Sequence, residues 1–395
     1  MKSVELFSGA GGLGMGLAKA GFEHKAVIEL NKHACRTIRE NQRRGFSLVK
    51  HWNVIEEDIT SFNFDRIRDS IDVVSGGPPC QPFSLAGKHR GFNDNRDMFP
   101  HATRAITELK PKAFIFENVK GLLRQSFAEY FEYIILRLTY PELIKKSNEQ
   151  WEEHLRRLEI CHTKGTYDGL KYNVVFRLLN SANYGIPQTR ERVFIVGFRS
   201  DLHSGWAFPR ITHTKEALLW KQWVTGEYWE EHNIQESERP KMNSRLKDIV
   251  RKIQMNYSIF PPDEKRWMTV RDVLADLPPP YKSNKNNILT NHHYKSGAKI
   301  YPGHTGSPLD EPAKTLKAGD HGVPGGENMI RYPNEQVRYF TVRESARIQT
   351  FADDYIFEGS WGESMRQIGN AVPVKLAEII GNSLLQHIEN SVGDK

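Results

Sequence analysis

Short apolar runs of strand length, each closed by glycine, proline or an acid, set the rhythm of the first half of the chain. Val4-Glu5-Leu6-Phe7 is the first such run, and it enters Ser8-Gly9-Ala10-Gly11-Gly12-Leu13-Gly14. Met15-Gly16-Leu17-Ala18-Lys19-Ala20 then reads as a helix with Gly21 as its stop. Ala26-Val27-Ile28-Glu29-Leu30, Ile71-Asp72-Val73-Val74, Ala113-Phe114-Ile115-Phe116 and Val193-Phe194-Ile195-Val196-Gly197 read as further buried strands. Alternating strands and helices predict an α/β fold with a doubly wound, mostly parallel sheet. After about Phe198 the pattern changes. A Trp- and charge-rich piece (Trp206, Trp220, Trp223, Trp229) leads into a Pro/Asn/Lys/Gly-rich region from Pro278 to Pro333. That punctuation predicts a second, smaller domain of loops and short strands.

At 395 residues the chain is long enough for a full α/β core and a second module. Its net charge of +7 suits a polyanionic partner without specifying one. Three cysteines without pairing spacing argue against a disulfide framework and for a reducing compartment. Cys35, beside Ala34 and Ile38 on a predicted helix, reads as packing. Cys161 lacks the companions of a zinc site, so no metal is expected. Met1-Lys2-Ser3 enters the first strand directly and no long apolar run occurs, so neither a signal peptide nor a membrane anchor is expected.

The candidate chemistry sits where strands open into loops. Cys80 lies in Ser75-Gly76-Gly77-Pro78-Pro79-Cys80-Gln81-Pro82-Phe83-Ser84, a setting that suits a thiolate nucleophile, although a lone cysteine is more often a half-buried structural residue. The first strand, its Gly-rich turn and the helix after it form an arrangement that brings backbone N–H groups close to a ligand. The turn departs from strict GxGxxG spacing and fits NAD, FAD, S-adenosylmethionine or a purely structural role. Glu29, about 18 residues after Gly11, could accept hydrogen bonds from ribose hydroxyls. Asp58 could meet an adenine amino group. Glu117 ends its strand on the same side of the sheet as Cys80. Arg190 and Arg192 occupy alternate positions at the entry of a strand and share a face.

Taken in order, Phe7-Ser8-Gly9-Ala10-Gly11-Gly12, Pro78-Pro79-Cys80-Gln81, Glu117-Asn118-Val119, Gln188-Thr189-Arg190-Glu191-Arg192 and Gly369-Asn370-Ala371-Val372 resemble the signature blocks of the cytosine-5 DNA methyltransferase family. The resemblance covers roughly residues 1–200 and 338–385. It implies a Rossmann-like methyltransferase fold and S-adenosylmethionine as donor. Cys80, with Gln81 beside it, would be the nucleophile. Glu117 would stabilise and read the base, Arg192 would contact its carbonyl oxygen, and Arg190 would support the catalytic loop. Phe7, Ser8, Gly9, Gly11, Gly12, Leu13, Glu29, Asp58, Ile59 and Pro79 would hold the donor, with Asn370 and Val372 closing its pocket. The loop from about Phe83 to Phe99, carrying Lys88, His89, Arg90 and Arg96, would close over an extruded base.

The implied division is residues 1–200 for catalysis, 201–337 for target recognition and 338–395 returning to the catalytic domain. Two departures stand out. Ala352 occupies a position usually held by proline, and the stretch 122–171 is longer than a compact member needs. The expected setting is a bacterial restriction–modification system. There the chain would be a cytoplasmic, DNA-associated monomer acting on double-stranded DNA, with a cognate endonuclease but no stable complex with it. An RNA (tRNA) cytosine-5 methyltransferase of the same fold is the alternative. A silent DNA-binding relative and a nicotinamide or flavin oxidoreductase are the readings from other classes.

Overall fold

The computed structural model describes residues 1–79, 97–202, 205–282, 289–318 and 328–393. Cys80, Gln81 and the Lys88–Arg96 cations lie outside the described residues. In chain order the first elements are β1 (Lys2–Leu6), α1 (Gly12–Lys19), β2 (Glu23–Glu29), α2 (Lys32–Arg43), β3 (Val54–Glu56) and β4 (Val73–Gly76). They continue with α3 (Phe99–Leu109), β5 (Ala113–Val119), α4 (Ala128–Thr139), α5 (Trp151–Lys164), β6 (Tyr172–Asn180), β7 (Gln188–Thr189) and β8 (Glu191–Arg199). The next stretch is mainly helical, with β9 (His213–Thr214), α6 (Lys215–Trp223), α7 (Glu227–Glu231), α8 (Ser244–Asn256), β10 (Lys265–Arg266) and α9 (Val270–Leu274). Last come β11 (Ser307–Pro308), β12 (Ala313–Lys314), β13 (Met329–Arg331), β14 (Val337–Tyr339), α10 (Val342–Ile348), α11 (Trp361–Asn370) and α12 (Val374–Gly393).

Among the described residues the main sheet has seven strands in the order β3-β2-β1-β4-β5-β8-β6. The pairs β1/β2, β1/β4, β2/β3 and β4/β5 are parallel, while β8 runs antiparallel to β5. The chain leaves β1 toward β2 and β3, then returns to lay β4 and β5 on the other side. This reversal opens a crevice beyond the carboxyl ends of β1 and β4, where open α/β sheets bind ligands. Val4, Leu6, Val74, Phe114, Phe116, Val193 and Ile195 put one face of the sheet in the core. The other face is also buried, apolar at Val27, Val73 and Ile115 and polar at Ser3 and Glu5.

The chain divides into two compact units. The first joins Met1–Leu179, Glu191–Pro209 and Ala377–Lys395; the second joins Asn180–Arg190 and Arg210–Leu376. In the first unit the long C-terminal helix lies against α1. A Cβ on Gly381 would fall 2.9 Å from the Cβ of Ala20, so only glycine allows this approach. Trp206 Nε1 donates to Ser383 Oγ at 2.9 Å and fastens the same helix.

The second unit has its own small core of Leu218, Tyr228 and Trp229. Beside it, Arg271 pairs with Asp310, which also accepts from the Tyr228 hydroxyl at 3.0 Å. The Thr341-Val342-Arg343-Glu344 block begins α10 with a capping box. Thr341 Oγ1 accepts from Glu344 N at 3.1 Å and the Glu344 carboxylate accepts from Thr341 N at 2.8 Å. Ala352, in the position where proline is usual, offers its carbonyl to Arg343 Nη1 at 2.9 Å.

Candidate active site

The loop that leads to Cys80 is held from β5. Gly76 ends β4 so close to β1 that a Cβ would fall 2.5 Å from the Leu6 carbonyl oxygen. Asn118 Nδ2 donates to the Pro78 carbonyl at 3.0 Å, and a Cβ on Gly77 would lie 3.5 Å from Glu117 Oε2. From the start of the next described stretch, Met98 N donates to the Pro79 carbonyl at 3.3 Å. The Pro-Pro segment is therefore fixed at both edges beside the Glu117 carboxylate.

Glu117 is buried, and Arg192 Nε stands 2.8 Å from its Oε1. The N–H is not aligned with that oxygen, which makes no hydrogen bond, so the contact is an ion pair. Antiparallel pairing of β5 with β8 produces this meeting: Val119 faces Arg192 and Glu117 faces Phe194 across the ladder. Arg190 goes elsewhere. In the second unit it is buried and donates from Nη1 to the Leu316 carbonyl (3.2 Å) and from Nη2 to that of Gly369 (2.8 Å). The predicted shared face therefore divides: Arg192 meets a carboxylate, while Arg190 braces backbone carbonyls.

The Gly-rich turn leaves β1 through left-handed backbone at Phe7 (φ 54°), Gly9 (φ 53°) and Gly11 (φ 82°). Such a conformation is strained for a phenylalanine and collects at ligand sites. Glu29 holds the turn: Oε2 accepts from Gly9 N and Oε1 from Asn31 N, each at 2.7 Å. Each carboxylate oxygen keeps a lone pair. Ser8 and Leu13 are buried. Above Gly9 a Cβ would meet no atom within 4 Å, which leaves an open cradle. Asp58 is exposed and accepts from Thr60 N at 2.9 Å, a bond that lowers its pKa. Ile59 points its side chain into the core, and its carbonyl accepts from Arg104 Nη2 at 2.6 Å. Asn370, exposed at the end of α11, and buried Val372 belong to the second unit.

One cluster has no counterpart among the sequence motifs. Glu5 and His24 are buried beneath the turn, and His24 grips the third residue of α1, Gly14, by its backbone carbonyl. The Gly14 carbonyl can only accept, so His24 donates from Nε2 (2.9 Å) and its Nδ1 accepts from Ser3 Oγ (2.9 Å). Glu5 sits beside it: the Glu5 Oε2 lies 3.9 Å from His24 Nε2 and makes no hydrogen bond. A polar residue inside the Val4–Leu6 strand is the only hint the sequence offers.

This geometry is a Rossmann-like α/β sheet with a Gly-turn cradle and a carboxylate–arginine pair at its carboxyl ends. The description "C-5 cytosine-specific DNA methylase" matches residues 1–140 and 152–386, and the chain belongs to that family as a DNA cytosine-5 methyltransferase. It is 34% identical to the Type II methyltransferase M.Eco47II of Escherichia coli over 98% of this chain and 79% of that protein. It is 31% identical to M.NgoMIV of Neisseria gonorrhoeae over 98% of each. Among solved structures, a prophage-encoded DNA modification methyltransferase from E. coli superposes with a TM-score of 0.58 at 20% identity, covering 98% of this chain and 99% of the other. The S. pombe Dnmt2 methyltransferase superposes at 0.55 with 17% identity over 99% of both chains, which is a likeness of fold.

Proposed function

We propose that this enzyme transfers a methyl group from S-adenosylmethionine to ring carbon 5 of a cytosine flipped out of a short specific duplex sequence, through a covalent bond to Cys80. The observation that supports this reading is the fixing of the Gly77–Pro79 segment against Glu117 and Asn118, one residue before Cys80. Ring carbon 5 is too weak a nucleophile to attack unaided. The Cys80 thiolate adds at ring carbon 6, which loads electron density onto carbon 5. Glu117 holds the proton at ring nitrogen 3 and reads the exocyclic amine. Arg192, already paired with Glu117, holds the base carbonyl oxygen. Once carbon 5 has taken the methyl group, a base, for which water can serve, removes the carbon-5 proton. The double bond between ring carbons 5 and 6 re-forms as the carbon–sulfur bond breaks and the Cys80 thiolate leaves.

S-adenosylmethionine, when bound, supplies an electrophilic methyl on a sulfonium. Glu29 would take the ribose hydroxyls on its spare lone pairs and Phe7 would stack on the adenine. Ser8, the Gly9–Leu13 backbone and Pro79 would line the cradle, Asp58 and Ile59 would reach the adenine, and Asn370 and Val372 would close the pocket. Flipping the base costs about a few kcal/mol of stacking and pairing. Residues 201–337 would read the sequence. We infer a restriction–modification setting, supported by the Type II methyltransferase names of the relatives. There the chain would be a DNA-associated monomer of the bacterial cytoplasm whose cognate endonuclease acts separately. Among the described residues no helix is long and apolar enough to cross a membrane.

Incubating Cys80→Ser protein with DNA and radiolabelled donor tests the chemistry. Methyl transfer should disappear, and undiminished transfer would remove Cys80 from the mechanism. A 5-fluorocytosine duplex should trap the wild-type protein as a denaturation-resistant adduct.

A further inference from the structure

The solvent side of α8 carries four cations, Arg245, Lys247, Arg251 and Lys252, against one acid, Asp248. Asp248 faces Arg251 at 3.9 Å. Arg245, Lys247 and Lys252 are exposed and form no ion pair among the described residues. The opposite side of the helix is committed to packing: Val250 and Ile253 are buried, and Tyr257 meets the Trp220 ring at 6.3 Å.

Beyond those cations comes an apolar tip that packing does not use. Met255 is 71% exposed, Ile259 81% and Phe260 74%, the three most exposed large apolar side chains among the described residues. Met255 follows Arg251 and Lys252 at helical spacings of four and three, so it continues their face. Pro261 and Pro262 stiffen the tip, and Asp263 and Glu264 bound the patch beyond them. An apolar tip beside unpaired cations is costly in water and complementary to duplex DNA, whose phosphates flank sugar walls of lower polarity.

We propose that α8 and the Ile259–Phe260 tip form a DNA-contacting surface, with Arg245, Lys247 and Lys252 on phosphates and the tip packed on the sugars between them. The inference rests on the proposed duplex-DNA substrate and adds a sequence-independent anchor to it. Such contacts fix the protein's position on the duplex and leave base reading to other residues.

The test is fluorescence anisotropy with a labelled mixed-sequence duplex, titrated between roughly 50 and 200 mM salt. Each lost phosphate contact removes about 0.9 from the slope of log affinity against log salt. The triple variant Arg245→Gln, Lys247→Gln, Lys252→Gln should therefore lose about 2 to 3 units of slope. A control removing the same charge from the first unit (Lys145→Gln, Arg156→Gln, Lys164→Gln) should keep the wild-type slope. Ile259→Ser with Phe260→Ser should weaken binding about ten-fold at unchanged slope. Unaltered near-UV circular dichroism of the tryptophans would confirm that α6 and α8 still pack. A triple variant whose slope matches the control overturns this proposal alone. Failure of the wild type to bind any duplex overturns the duplex substrate with it.

Discussion

At neutral pH the Glu5 carboxyl keeps its proton. Burial pushes it up to about 8, opposed by the nearby Gly14 backbone and reinforced by the charge of Glu29. Between about 4.5 and 8 the folded chain holds this proton and the unfolded chain has released it, so stability falls by about 1.4 kcal/mol per pH unit. His24 behaves oppositely. Burial holds it neutral down to about 4 from an ordinary 6.5, so its contribution to stability is lost as pH falls through that window. The two slopes cancel where they overlap, leaving a net decline from about pH 6.5 to 8. Glu5→Gln should flatten that decline by roughly 2 kcal/mol, measured by denaturant melts at the two pH values. A variant that declines as steeply as wild type would show that Glu5 is already ionised. Arg192→Ala should cost about 3 kcal/mol by stranding the buried Glu117 charge. It should also lower the turnover number, while Glu117→Gln with Arg192→Ala should recover much of the stability and none of the activity.

At the scale of elements, glycines and caps decide how closely the pieces meet. Gly14→Ala would drive a Cβ to 2.2 Å from Glu5 Oε2 and 2.8 Å from the Trp52 ring. We expect about 1–3 kcal/mol of destabilisation and weaker binding of S-adenosylmethionine, read by calorimetry. Gly369→Ala would meet the Ala318 backbone nitrogen at 2.5 Å, displacing the strand-like segment whose Leu316 carbonyl Arg190 holds. Thr341→Ala should cost about 1 kcal/mol through the lost N-cap. The strand–turn–helix opening was legible because its apolar run, glycines and helical pattern agree locally. The helices α6 to α9 fell outside the expectation of a loop- and strand-rich second domain. Their apolar positions are sparse, and tertiary packing on Tyr228 and Trp229 selects helix there. The S/T-x-x-E spacing at Thr341–Glu344 is a capping box that is legible in the sequence itself.

For the whole molecule, net charge and family point to one substrate test. DNA from cells expressing the chain should show 5-methylcytosine at one short sequence by bisulfite sequencing, and excess transfer RNA should not compete for methyl transfer. Transfer RNA acting as the better acceptor would reverse the choice between the two nucleic acids. The sequence alone determined the α/β class and the family, because strand periodicity and ordered motifs are local properties of the chain. The reacting groups proposed above come from those same motifs. Only the tertiary structure decided that Arg192 rather than Arg190 meets Glu117. The choice depends on β8 running antiparallel to β5 in one register. It likewise placed Glu5 and His24 under the Gly turn, since burial and the loss of water that shifts their protons exist only once β1, β2 and α1 have packed.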